Sequence, residues 1–318
     1  MRERINWLRG TIIVIFSFCS LRILTLWGES NHKHSFNLLE GKTVEKGEAS
    51  FWMVFLSFIY LIFFISGVLF LINFLIKKKN KQPIFNISSP AIPFPLSKKE
   101  TRSLILLIGL AALTLYSLGT ILNSLTTTQQ EKFCLTVISN LLLELTVASL
   151  ILKYITLSKL GFSPKIEYFK KSLFIYLSII PLLFILSLIN IFIIKKTNIN
   201  FSVNPAITLF FELKDKFIFL ILLLEVVVFG PVAEELFFRG FIYKVLRKRF
   251  SSNISTLITS IFFSLTHHTP QNILPLFLLS ATFCFLYEKT QDISVPIFLH
   301  SLHNLSTSIF LLVLKYYI

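Results

Sequence analysis

Long apolar runs, separated by short basic or Pro-containing stretches, set the pattern of this chain. They fall at residues 11–27, 51–76, 103–122, 133–154, 172–194 and 217–237, followed by 254–268, 273–287 and 293–314. A helix needs about 20 predominantly apolar residues to cross a hydrocarbon core roughly 30 Å thick, and most of these runs reach or approach that length. The spacing therefore predicts an all-α polytopic membrane protein with about nine transmembrane helices. Two of them, 254–268 and 273–287, are short, about 22 Å each at 1.5 Å per residue. They read as short spans or as a re-entrant hairpin, with Pro270 marking the turn in either case. The run at 11–27 follows Arg2, Arg4 and Arg9 and has the outline of a signal peptide. It carries Arg22, however, and ends in Trp27-Gly28-Glu29 without a small-residue cleavage pattern, so a retained first span is expected.

The interruptions divide the chain. Residues 77–102 are rich in Lys, Pro and Ser, with Pro83, Pro90, Pro93 and Pro95 favouring extended structure, and read as a cytoplasmic linker. They separate two N-terminal helices (1–76) from a membrane body (103–318). Between spans, more than twice as many Lys and Arg fall on one side as on the other. The positive-inside rule then puts the N-terminus in the cytoplasm and, after nine crossings, the C-terminus outside.

Composition changes this picture little. The 318 residues are 54% hydrophobic and 15% charged, and the formal charge of +15 raises the question of nucleic acid. The basic residues sit between apolar runs and form no aromatic-interleaved patch, so the expected partner is the lipid bilayer, with no nucleic acid. Cys19, Cys134 and Cys284 lie far apart in apolar runs and fit neither zinc spacing nor a disulfide framework. Short loops and a Phe-, Ile-, Lys- and Asn-rich composition lean towards a bacterial plasma membrane.

Charge inside an apolar run is the informative departure. The stretch VAEELFFRGFIY (232–243) carries Glu234, Glu235 and Arg239 at the end of a predicted span. Each such group costs roughly 2.5–3.5 kcal/mol to insert, so the cluster marks a functional site by default. Glu235 and Arg239 are spaced i,i+4 in the favourable order and can neutralise each other, leaving Glu234 as the free carboxylate facing histidines. Pro231 should kink or restart the helix just before them. Four of the six histidines, His267, His268, His300 and His303, share the last third of the chain with this cluster. His300 and Asn304 fall on one helix face. By contrast, Asn140, Glu144, Asn190 and Glu225 read as polar groups that only bond neighbouring helices.

In order along successive segments, EELFFR (234–239), FSLTH (263–267) and HSLHN (300–304) fit the motifs Glu-Glu-x-x-x-Arg, Phe-x-x-x-His and His-x-x-x-Asn. Together they resemble the CPBP family of intramembrane proteases, which includes CAAX prenyl proteases and Abi-type bacteriocin-processing proteins. The resemblance covers a protease core at about 217–310. It implies that Glu234 and His267 activate the attacking water, that His300 and Asn304 stabilise the oxyanion, and that Glu235 and Arg239 support the site. It also implies a membrane-associated protein or peptide as substrate. Glu234, His267 and His300 are candidate zinc ligands, but the chain lacks His-Glu-x-x-His. Asn304 beside His300 suits oxyanion stabilisation better than ligation, which favours the metal-free version. The expected function is thus an intramembrane peptidase. A catalytically silent family member acting in immunity or as a scaffold, and a transporter using the charged cluster as an ion site, are the alternatives.

Overall fold

The computed structural model describes residues 46–80, 94–197, 205–267 and 269–317. Among them the regular structure is helical: α1 (Lys46–Lys79), α2 (Lys98–Leu125), α3 (Gln129–Tyr154), α4 (Ile166–Thr197) and α5 (Pro205–Glu212) come first. They are followed by α6 (Lys216–Arg247), α7 (Ser252–Thr266), α8 (Ile273–Thr290) and α9 (Ser294–Tyr317). Six are long and apolar enough to cross a membrane: α2, α3, Ile166–Ile194 of α4, α6, α8 and Ser294–Leu312 of α9. The chain is an integral membrane protein, with six candidate spans among the described residues. The expected span 11–27 lies outside those residues, and 51–76 is helical throughout, within the 34-residue α1. The run 254–268 forms α7, whose 15 residues make it too short for a full crossing, whereas 273–287 lengthens into the 18-residue α8.

Local signals explain where the helices begin. Ser97 and Thr128 cap α2 and α3 in reciprocal capping boxes with Glu100 and Glu131, each hydroxyl accepting from the amide three residues on. Thus α1 runs through Lys79 and α2 starts at Lys98, so both ends of the 77–102 stretch are helical, while 81–93 lie outside the described residues.

Packing then follows from apolar faces and small residues. α3 lies along α6, α7 forms a hairpin with α8 through the turn Pro270–Asn272, and α9 crosses α6 near residues 225–235. The main core joins Leu104, Ile151, Leu236, Phe241, Phe263 and Tyr287 from five helices. α1 meets α4 where Gly67 faces Pro181: a Cβ on Gly67 would stand 2.8 Å from the proline ring, so only glycine permits that approach. Lower in the bundle, Arg247 pairs with Glu288 at 2.8 Å and Tyr243 donates to the same carboxylate, tying α6 to α8.

Pro231 does not break α6. The helix widens into π turns at Glu225–Phe229 and Leu236–Tyr243, with an α segment, Gly230–Glu235, between them. Proline removes a donor and its ring clashes with the carbonyl four residues back. Shifting the ladder to i→i−5 relieves that clash, and Gly230 N–H accordingly donates to Glu225 O. The expected kink is replaced by a local change of helical pitch, a device common at functional sites.

Candidate active site

Six residues singled out by sequence come together here from three helices. α6 carries Glu234, Glu235 and Arg239; His267 caps the end of α7; His300 and Asn304 lie on α9. Five of them divide into two adjoining groups, and Asn304 lies outside both.

The first group is a fully enclosed ion-pair network. Arg239 Nη1 donates to Glu235 Oε1 at 2.8 Å, with both side chains 0% exposed. Its Nη2 donates to Ser280 O and Oγ on α8 at 3.0 and 2.8 Å. The guanidinium is flanked by the rings of Phe263 and Phe283, 4.9 and 5.3 Å from their centroids. His300 Nδ1 then donates to Glu235 Oε1 at 2.9 Å. A buried pair is tolerated only when hydrogen bonds and geometry offset desolvation, and here Ser280, His300 and two aromatic faces supply them.

The second group faces a cavity of about 50 Å³ lined by Glu234, His267 and Glu144, with Phe237, Phe238 and Val147 among its apolar walls. His267 Nε2 stands 3.7 Å from Glu234 Oε2. Its other nitrogen, Nδ1, lies 2.8 Å from Phe263 O. A carbonyl only accepts, so Nδ1 carries the proton and a neutral ring turns its lone pair at Nε2 towards the carboxylate. Two acceptors this close can share the two hydrogens of one water, and the cavity exceeds the volume that a water requires.

Phe263 joins the groups. It is wholly buried, its carbonyl orients His267, and its ring lies 4.5 Å from His267 and 5.8 Å from His300 between centroids. The i,i+4 spacing of Phe263 and His267 thus has a physical basis, since it lets the imidazole reach back to a carbonyl one turn earlier.

Two expectations need correction. Glu234 was to face the histidines together, but it lies beside His267 while His300 turns to Glu235. Asn304 and His300 were to stand where an oxyanion forms, yet neither lines the cavity, and Asn304 Nδ2 donates to Val226 O at 2.8 Å. Val226 is five residues before Pro231, so its carbonyl is the one whose π-type donor the proline lacks. Asn304 supplies that missing bond.

The candidate zinc ligands fare likewise. Glu234 and His267 lie on one side and His300 on the other, and among the described residues no three His, Cys, Asp or Glu side chains gather as ligands. These residues as placed do not fit a zinc site. His303 turns to Tyr176 on α4 at 3.0 Å, and His268 lies outside the described residues. Asn190 bonds Pro270 O, in keeping with its reading as a link between helices. Glu144 was given that reading too, yet it reaches the cavity. The signal for it was the same as for Glu234, a carboxylate inside an apolar run, but nothing in the sequence connects α3 to α6.

Residues 216–306 match the family described as Type II CAAX prenyl endopeptidase Rce1-like. Over this segment the chain is similar to that family. The matched Rce1-like segment contains all six residues singled out by sequence, and the family is one of peptidases. Over 75 residues the chain is 36% identical to a Bacillus subtilis (strain 168) protein named "Putative membrane peptidase YdiL", covering 24% of this chain and 31% of that protein. The chain therefore spans less than a third of the length of the curated relative it matches. No solved structure matches it.

Proposed function

We propose that this protein is an intramembrane peptidase that hydrolyses a peptide bond of a membrane-associated protein or peptide, near or within the bilayer. The observation that carries this reading is the Glu234–His267 pair, 3.7 Å apart at the wall of a cavity roomy enough for water. Glu234 takes a proton from that water while His267 Nε2 accepts its second hydrogen bond. The hydroxide adds to the substrate carbonyl carbon. Glu234 then returns the proton to the departing nitrogen as the C–N bond breaks, leaving one new carboxyl and one new amine. Glu235, Arg239, Ser280 and His300 hold α6 against α8 and α9 so that Glu234 keeps its direction. Asn304 supports the same helix through Val226.

The reading is tested with purified protein in lipid nanodiscs and membrane-associated reporter peptides. Cleavage by wild type and its loss in Glu234→Gln and His267→Ala is the expected result; equal cleavage by Glu234→Gln overturns the assignment. Because the candidate ligands are divided between two groups, activity should survive chelation and stripping of metal. Loss of activity with rescue by zinc would show that the side chains rearrange around a metal.

A further inference from the structure

We propose that Glu144 orients the substrate: its carboxyl accepts a hydrogen bond from a substrate N–H, on the backbone or on a basic side chain, beside the bond that Glu234 and water attack. This rests on the peptidase reading above. Glu144 belongs to α3, outside the matched family segment, and lines the same cavity as Glu234 and His267.

Its position is fixed by a glycine. A Cβ placed on Gly230 would stand 3.3 Å from Glu144 Oε1, so the carboxyl occupies the notch that a missing side chain leaves on α6. Gly230 and Glu234 begin and nearly end one α segment, Gly230–Glu235, and at i,i+4 they share a face about 6 Å apart along the axis. Helical side chains lean towards the N-terminus, so Glu234 leans back towards the level of Gly230. The two carboxyls therefore serve one space.

The rest of the wall makes an acceptor there useful. Leu143, Val147, Ala233, Phe237 and Phe238 offer no polar atom from their side chains. Thr266 spends its hydroxyl hydrogen on Phe263 O. A peptide segment that brings its scissile carbonyl to Glu234 also brings N–H groups, and an N–H entering an apolar pocket without an acceptor loses its bond to water. A carboxyl oxygen accepts whether the group is ionised or protonated, so Glu144 meets this need in either state. Ligand pockets commonly orient their occupants by such a small number of placed polar groups on apolar walls.

The test uses binding, so that it does not depend on turnover. A mixture of synthetic ten-residue apolar peptides, some containing Lys or Arg, is passed over the Glu234→Gln protein in nanodiscs, and retained peptides are identified by mass. Each retained peptide is then remade with single backbone N-methyl groups, and with norleucine for each basic residue. One such change should weaken binding about tenfold or more in Glu234→Gln, and much less in Glu234→Gln with Glu144→Leu. An N-methyl position that responds identifies a backbone donor; a norleucine position identifies a basic side chain. Because the deletion is made on the peptide, the comparison can be repeated with Glu144→Gln, in which selectivity for a basic side chain should also fall. Equal losses with and without Glu144, or no retained peptide, overturn the inference. Glu144-dependent binding of peptides that wild type fails to cleave would instead reject the peptidase reading and leave the role of Glu144 intact.

Discussion

At the scale of single residues, two adjacent carboxylates have opposite surroundings. Glu235 is enclosed and paired with Arg239 and His300, whereas Glu234 borders the cavity beside His267. Glu234→Gln keeps size and hydrogen bonding, so the protein should accumulate and unfold like wild type while turnover falls about 10²- to 10⁴-fold, read with a cleaved reporter. Glu235→Gln strands a buried guanidinium, and removing one partner of a buried pair costs about 3–5 kcal/mol. Thermal unfolding in detergent should show that loss, and Glu235→Gln combined with Arg239→Gln should recover part of it. If Glu235→Gln proves as stable as wild type while Glu234→Gln unfolds, the two roles must be exchanged. The pairing of Glu235 with Arg239 was legible in the sequence, because i,i+4 spacing on a helix is a local property. The bond from His300 was not, since sixty-five residues separate the partners.

At the scale of elements, α6 stays continuous across a proline because it changes pitch and borrows a donor from α9. Asn304→Ala removes that donor from the part-buried Val226 O, which should cost about 1 kcal/mol in chemical denaturation. Pro231→Ala restores a backbone N–H, so Asn304→Ala made in that background should cost clearly less. Equal costs in the two backgrounds would separate Asn304 from the proline. Gly230→Ala probes the same segment from the other side: a Cβ there meets Glu225 O at 3.0 Å and Glu144 Oε1 at 3.3 Å. That substitution should lower the unfolding temperature and weaken reporter binding together, through displacement of Glu144. A proline in a helical run is visible in any sequence, but whether the chain kinks, restarts or widens depends on which neighbour can satisfy the orphaned carbonyl.

At the scale of the whole molecule, the described helices form one bundle in which α6 is lined on successive sides by α3, α7, α8 and α9. The Lys and Arg asymmetry between spans predicts that the loop between α3 and α4 faces the cytoplasm and that the segment joining α5 to α6 faces the opposite side. In a variant with Cys19, Cys134 and Cys284 replaced, a cysteine at Ser158 should resist an impermeant thiol reagent in intact cells, and one at Lys214 should react. The reverse pattern would invert the orientation.

The sequence by itself determined the helical membrane class, the approximate limits of most spans, the pairing of Glu235 with Arg239, and the membership of Glu234, Glu235, Arg239, His267, His300 and Asn304 in one region. Each of these follows from near-neighbour spacing: run length against bilayer thickness, i,i+4 pairs and three short motifs. Only the tertiary structure decided how those residues divide, that Glu144 joins the cavity, that Ser280 and Phe263 hold Arg239, and that Asn304 completes the ladder of α6. These contacts join residues tens of positions apart, on helices whose rotation about their own axes is set by packing. A π turn shifts that rotation by part of a turn without leaving a mark in the hydrophobic pattern, so the direction in which each polar side chain points emerges only when the bundle closes.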